Sequence, residues 1–373
     1  MTTPYSLTNA LSAHVAQAIA ARGGWIGFDE FMTLALYTPG LGYYANDSTK
    51  FGTLPTAGSD FVTAPEMTPL FGQTLAAQVA QALQVTQTGE VWEFGAGSGA
   101  LALQLLETLE ALGAPLPRYS IVDLSGSLRA RQQQTLAKYA GTVRWVSELP
   151  ASLQGVVVGN EVLDAMPVKL LARVSGLWYE RGVALHPQPA ADDIPEWGWQ
   201  DRPTALRPPV EIEGDHDYLT EIHPQGESFI RTLADKLSVG AAFFIDYGFP
   251  EHEYYHPQRH MGTVMCHLRH RSDPDPLSEV GLKDITAHVN FTGIALAAQE
   301  AGLNVLGYCT QARFLINCGL GPRLDASPLT VRVQAQRLIM EHEMGELFKV
   351  IGLYKGEPWD AMGFAQGDRT HTL

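Results

Sequence analysis

The chain has 373 residues, 45% of them hydrophobic, which excludes a disordered protein and suits one elaborated domain or two closely joined ones. A formal charge of −15 without a long basic tract argues against nucleic-acid binding and leans toward a basic protein partner. Three scattered cysteines point to a reduced compartment rather than a disulfide framework; with no apolar stretch of spanning length and neither a signal nor a transit pattern, a bacterial cytoplasmic protein without membrane insertion is expected.

In chain order, Leu7, Leu11, Val15 and Ile19 form an apolar helical stripe stopped by Gly23 and Gly24, which predicts a helical cover over residues 1–68 ahead of the core. Thr63-Ala-Pro65-Glu66 is a rigid polar segment leading into a helix from Pro69. The run from Val91 to Leu103 then reads as a buried strand through Glu93, a turn built on Gly95, Gly97 and Gly99, and a helix. Glycines let the backbone turn sharply and approach a ligand, while the first helical turn presents free N–H groups.

Three ligand classes compete for such a loop. A phosphate-cradling loop needs a lysine, and none lies between Lys50 and Lys138. A dinucleotide loop fits the pattern Gly95-x-Gly97-x-x-Ala100, with Asp123 ending the next strand as a ribose-binding acid. Glu93 tilts the reading, because a carboxylate at the strand end suits a cationic or amine-bearing ligand and repels a pyrophosphate. S-adenosylmethionine carries a sulfonium, an α-amine and no phosphate.

Further strand-like runs at 119–124, 143–146, 156–159, 241–247, 264–268 and 305–308 alternate with helical patterns such as Phe291, Ile294, Ala295 and Ala298 before Gly302. They predict an α/β core over 69–325, a doubly wound sheet of about seven strands. Hairpin and Pro-rich patterns at about 168–225, with Trp197 and Trp199, predict a β-rich insertion that could serve as a substrate platform. A helical pattern at 328–350 predicts a C-terminal helical extension, 326–373, packed on the core.

Asn160, Glu161 and Asp164 directly follow the buried run 156–158. A loop leaving the carboxyl end of a central strand faces the ligand crevice, so in a fourth strand these three stand beside the transferable methyl. Two carboxylates there can hold a guanidinium; the rival reading is a capped turn with Asp164 on backbone N–H groups and Glu161 solvated. Asp246, ending another buried run, faces the crevice or starts a turn, with the turn preferred. His252, His256 and His260 are four apart, but Pro250 and Pro257 break any shared helix, so solvated loop histidines are expected and no metal site. The basic run His267 to Arg271 suits an acidic partner or strand-end solvation equally.

Gly58-Ser-Asp-Phe-Val-Thr-Ala-Pro-Glu-Met67, the Glu93 loop, Ile121-Val-Asp-Leu-Ser125 with Leu128-Arg129, Asn160-Glu-Val-Leu-Asp-Ala-Met-Pro167, Ile245-Asp-Tyr-Gly248, Cys266-His-Leu-Arg-His-Arg271 and Asp284-Ile-Thr-Ala-His-Val-Asn-Phe291 occur in this order. In that order the chain resembles the MidA-like family over nearly its whole length. The resemblance implies a Rossmann-type class I methyltransferase with the N-terminal segment folded over an S-adenosylmethionine site. By the same resemblance Thr63, Pro65, Glu93, Gly95, Ala96, Gly97, Gly99, Asp123, Leu124, Glu148 and Asn160 hold the cofactor, with the methionine end at Glu93 and the ribose at Asp123. Many relatives carry Glu where Asp123 stands, so the ribose contact has a shorter reach here.

Glu161, Asp164 and His288 are the candidate catalytic residues. The loop holding Asp284, His288 and Asn290 resembles the threonine-histidine loop of arginine methyltransferases without the tryptophan that follows there; a helix-start role competes for His288. Mitochondrial members imply protein arginine methylation in complex I assembly, which makes a respiratory-complex subunit one candidate substrate and a homodimer one candidate assembly. A non-catalytic S-adenosylmethionine-binding assembly chaperone and an NAD-dependent oxidoreductase on the same loop stay open as alternatives.

Overall fold

Val91, Trp92 and Phe94 alternate toward two apolar layers, and around this strand the central sheet is built. The computed structural model describes residues 4–46, 62–123, 126–186, 196–268 and 271–373. Its central strands are β1 (Glu90–Phe94), β2 (Arg118–Val122), β3 (Val143–Val146), β4 (Leu153–Asn160), β5 (Leu237–Phe249), β6 (Asn304–Thr310) and β7 (Phe348–Lys355). They lie in the order β3-β2-β1-β4-β5-β7-β6. β1 to β5 pair in parallel, and β7 runs antiparallel between β5 and β6. The chain moves outward from β1 to β3 and returns on the other side at β4, so a topological switch point opens above β1 and β4.

Parallel strands covered on both faces need apolar residues throughout. Val156 and Val158 pack with Leu75, Val79, Leu101 and Leu105 of the helices Leu70–Thr86 and Ala100–Ala111. Val157 faces the opposite layer, with Ile230 and Leu233 of Pro224–Lys236 and Ile294 and Ala298 of Phe291–Glu300. Each such buried side chain contributes about 1.5–3 kcal/mol.

One expected member of the sheet is exchanged for another. Met265–Leu268, within the run expected at 264–268, pairs instead with Arg271–Asp273 and Asp284–Thr286 in a separate three-stranded sheet. Its place is taken by β7, from the region expected to be helical. The 328–350 pattern is helical over Leu329–Gln336, turns again at Glu341–Gly345 and enters the sheet at Phe348. Val350 faces one apolar layer while Ile351 and Leu353 face the other, a two-sided burial that only a strand allows here.

The N-terminal cover and the insertion form one unit. Trp25–Gly27 pairs antiparallel with Leu177–Leu185, which continues into Lys169–Val174, Trp197–Pro203 and Tyr218–Ile222 as a five-stranded sheet. Leu11, Val15 and Ile19 of helix Pro4–Ala21 are buried, as the stripe predicts, against Phe28 and Phe31 of helix Phe28–Tyr37 and Leu170 and Val183 of the sheet. Trp197 and Trp199 lie 6.1 and 5.5 Å from the rings of Phe31 and Phe28. The insertion thus supports the cover helices. Among the described residues no helix is long and apolar enough to cross a membrane.

Candidate functional site

β1 delivers Glu93 and then three glycines with φ of +64°, +53° and +85° at Gly95, Gly97 and Gly99, left-handed conformations that side chains resist. Glu93 is 2% exposed, and its Oε2 accepts from the Tyr119 hydroxyl at 2.7 Å. Burial pushes its pKa up to about 8; the Tyr119 bond opposes this and the Asp123 charge adds to it. Asp123, just beyond β2, is set by Gln132, whose Nε2 donates to Asp123 Oδ2 at 2.7 Å and to the Gly97 carbonyl at 3.0 Å. Gln132 Oε1 accepts from Trp145 Nε1 at 2.8 Å. Sequence reasoning missed Gln132, because the run Arg129-Ala-Arg-Gln-Gln-Gln reads as a solvated helix face.

The Thr63 segment reaches over this loop. Ser98 donates to Glu66, and Gln104 Nε2 donates to the Pro65 carbonyl at 2.8 Å while its Oε1 accepts from Gly72 N–H at 2.9 Å. These bonds fasten the short turn Ala64–Met67 to the glycine loop and to the helix after it, and the helix from Leu70 to that same helix.

The loop after β4 is shaped from behind. Glu161 has φ +53°, and its N–H donates to the Ile245 carbonyl at 2.9 Å. Asp246 Oδ2 accepts from the N–H groups of Val162, Leu163 and Asp164 at 3.1, 2.9 and 3.3 Å, and its Oδ1 from Tyr247 N–H at 2.9 Å. Asp246 therefore neither faces the crevice nor simply starts a turn; it anchors the neighbouring strand's loop.

That loop presents two acids. Tyr247 donates its hydroxyl to Asp164 Oδ2, while Asp164 Oδ1 is buried without a hydrogen-bond partner among the described residues. Burial raises Asp164 to about 6, against the Tyr247 bond. Glu161 is pushed up to about 8 by burial and the Asp164 charge, with Asn160 Nδ2 donating to its Oε1 at 3.0 Å. Tyr44 donates to Asp284 Oδ1 at 2.8 Å and Tyr37 to the Ala165 carbonyl at 2.8 Å, their rings stacked 5.6 Å apart. The His288 ring stands 5.3 Å from that of Tyr247, its Nδ1 buried without a partner among the described residues; burial pulls the ring's pKa down to about 4.

One cavity of about 1060 Å³ joins the glycine loop to these acids. Its wall includes Thr63, Pro65, Glu93, Gly95, Ala96, Gly97 and Asp123 together with Asn160, Glu161, Asp164 and His288. Gly99 instead starts the helix Ala100–Ala111, and a Cβ there would stand 3.4 Å from the Gln132 backbone. Glu148 is exposed and off the wall, and among its described residues the insertion contributes only Gln225. His252, His256 and His260 are exposed. Leu124, residues 58–61, part of the Pro-rich segment, Arg269 and His270 lie outside the described residues.

Beside the Thr63 and Ser98 hydroxyls, the wall near the glycine loop offers acceptors: Glu93, Asp123 and Asn160 Oδ1, the last without a partner among the described residues. They suit an ammonium and vicinal hydroxyls, and they fit S-adenosylmethionine better than a pyrophosphate.

Residues 74–309 match the family described as "Putative S-adenosyl-L-methionine-dependent methyltransferase". A protein of Burkholderia thailandensis solved bound to S-adenosyl-homocysteine is 49% identical, with a TM-score of 0.94 over 99% of this chain and 98% of that one. A native crystal structure of a protein from Burkholderia thailandensis gives 48% identity and a TM-score of 0.90 over the same shares. Protein arginine methyltransferase NDUFAF7 of Danio rerio is 26% identical over 92% of this chain and 86% of its own. The Homo sapiens protein of that name is 25% identical over 88% and 80%. With that match spanning most of a class I core, the chain belongs to this family of S-adenosylmethionine-dependent methyltransferases, and S-adenosylmethionine is its cofactor.

Proposed function

We propose that the protein methylates an arginine side chain of a protein substrate. The observation that carries this reading is the pair Glu161 and Asp164, with Asp164 Oδ1 buried and unpartnered, on the same cavity as the glycine loop. The names of the NDUFAF7 relatives support it. A respiratory-complex subunit is the substrate class that follows from the resemblance, and the bacterial cytoplasm is the compartment.

Glu93 and Asn160 would hold the ammonium, Asp123 the ribose hydroxyls, and Thr63 and Pro65 would cover the site. Bound there, the cofactor supplies an electrophilic methyl on its sulfonium. The chain's own residues supply alignment. Glu161 and Asp164 pin the guanidinium by charge-assisted bonds and draw its positive charge away from the attacking nitrogen. Tyr37, Tyr44 and Tyr247 wall that end of the cavity and limit water. Arginine stays protonated in water, its pKa above about 12, so orientation precedes proton loss. As the new N–C bond forms, Glu161 is basic enough to take the proton leaving the guanidinium.

Quantitative mass spectrometry of methyl-arginine in the source strain, with the gene deleted and then restored as wild type or Glu161→Gln, tests this. Sites lost on deletion should return with wild type and not with the variant. A deletion strain that loses no methyl-arginine site would reject the arginine reading.

A further inference from the structure

The cavity that holds the two acids also meets a cation. Arg259 lines it, half-buried, with Cζ 3.8 Å from the centre of the Phe249 ring. Among the described residues no carboxylate oxygen lies within 4.0 Å of this guanidinium, and its side chain makes no hydrogen bond. Glu253 shares a neighbouring surface depression without closing an ion pair. Lys349, the other cation over Phe249 at 5.7 Å, is held by the carbonyls of Glu346 and Leu347. Among the described residues, Arg259 is therefore the cation of this wall whose side chain has no hydrogen-bond or ion-pair partner.

A guanidinium stacked on an aromatic face, partly shielded from water, offers a fixed fork to a carboxylate. Its placement is not explained by attraction of a basic target, because it repels the charge that Glu161 and Asp164 attract. Two ring steps lead from Tyr247, which holds Asp164, to Phe249 beneath Arg259: Tyr247 to His288 and His288 to Phe249, each 5.3 Å. An extended peptide advances about 3.3 Å per residue, so a side chain within roughly three residues of the bound arginine spans that interval.

We propose that Arg259 selects substrates carrying Asp or Glu within about three residues of the target arginine, pairing with that carboxylate while the acids hold the guanidinium. This rests on the arginine reading and adds a requirement to it.

The test restores the deleted gene as wild type, Arg259→Gln, Arg259→Lys or Arg259→Glu and quantifies the methyl-arginine sites that deletion removes. Those sites should carry an acid within three residues, and Arg259→Gln should lower kcat/KM on the purified substrate protein roughly ten- to hundredfold. Affinity for S-adenosylhomocysteine, read by calorimetry, should not change, which separates this role from damage to the fold. Arg259→Lys should recover part of the activity. Arg259→Glu should recover activity on a substrate whose acid is replaced by lysine, an exchange that a packing role does not produce. Full methylation by Arg259→Gln, or lost sites without a neighbouring acid, overturns this inference and leaves arginine methylation standing. Loss of no methyl-arginine site on deletion overturns both.

Discussion

Tyr247 commits its hydroxyl to one oxygen of Asp164, a residue of the cavity wall, and leaves the other buried without a hydrogen-bond partner among the described residues. A carboxylate half-satisfied in this way is oriented without being neutralised, so its remaining oxygen can accept a donor from a substrate. Tyr247→Phe removes that orientation while keeping the ring against His288 and Phe348. Loss of a hydrogen bond to a charged group amounts to about 1.5–3 kcal/mol, so methyl transfer should fall roughly ten- to hundredfold. S-adenosylhomocysteine affinity should be nearly unchanged. Equal losses in binding and turnover would mean that Tyr247 serves only the fold.

Glu161 should separate the two halves of the cavity more sharply. Glu161→Gln keeps the shape and removes the charge, so cofactor binding should survive and transfer should drop by at least tenfold. With the carboxyl pushed up to about 8 in the free enzyme, kcat/KM of the wild type should climb with pH toward that value as the group ionises. The variant should lose the inflection. An identical pH profile in both proteins counts against Glu161 as the group that meets the guanidinium.

The ribose side depends on a pair of residues. Asp123→Ala should weaken S-adenosylmethionine and S-adenosylhomocysteine alike by about one to two decades, the size of a lost charge-assisted contact. Gln132→Leu, off the cavity wall, should act in the same direction and more weakly, because Asp123 and the Gly97 carbonyl lose their shared donor. Titration calorimetry reads both variants. Unchanged affinity in Asp123→Ala would remove it from the cofactor site.

The strands were legible where burial on both faces forces continuous apolar runs, as at Val156, Val157 and Val158. β7 escaped because its apolar run closes a segment with helical periodicity, and only the gap between β5 and β6 reveals its place. Glu161 and Asp164 could be singled out because a strand's carboxyl end is a local feature. Asp246 could not be assigned its partners, since the N–H groups it accepts from are up to 84 residues away and reach it only through the pairing of β4 with β5. Arg259 shows the same limit. Nothing near it in the chain announces Phe249 beneath its guanidinium or the acids beyond.

The buried acids also fix how stability varies with pH before any ligand binds. Glu93 is held near 8 and Asp164 near 6, against ordinary values of 4.5 and 3.8. A carboxyl raised in this way binds more protons folded than unfolded, so its contribution is complete below its unfolded pKa and is lost as pH rises toward the folded one. His223 and His288, pulled down from 6.5 to about 4 by burial, act in the opposite sense, and their contribution is lost as pH falls through that window. Between pH 6.5 and 8 the opposing slope of the histidines fades, as their unfolded side chains, half protonated at 6.5, lose their remaining protons, and the raised carboxyls dominate. The cofactor-free protein should therefore lose stability across that interval, by up to roughly 2 kcal/mol for a fully buried carboxyl such as Glu93. Thermal melts at constant ionic strength should fall from pH 6.5 to 8 and then level, and Glu93→Gln should show a shallower fall. A melting temperature that rises over this range would mean that Glu93 is already ionised in the folded protein, with its charge met by something other than the Tyr119 hydroxyl.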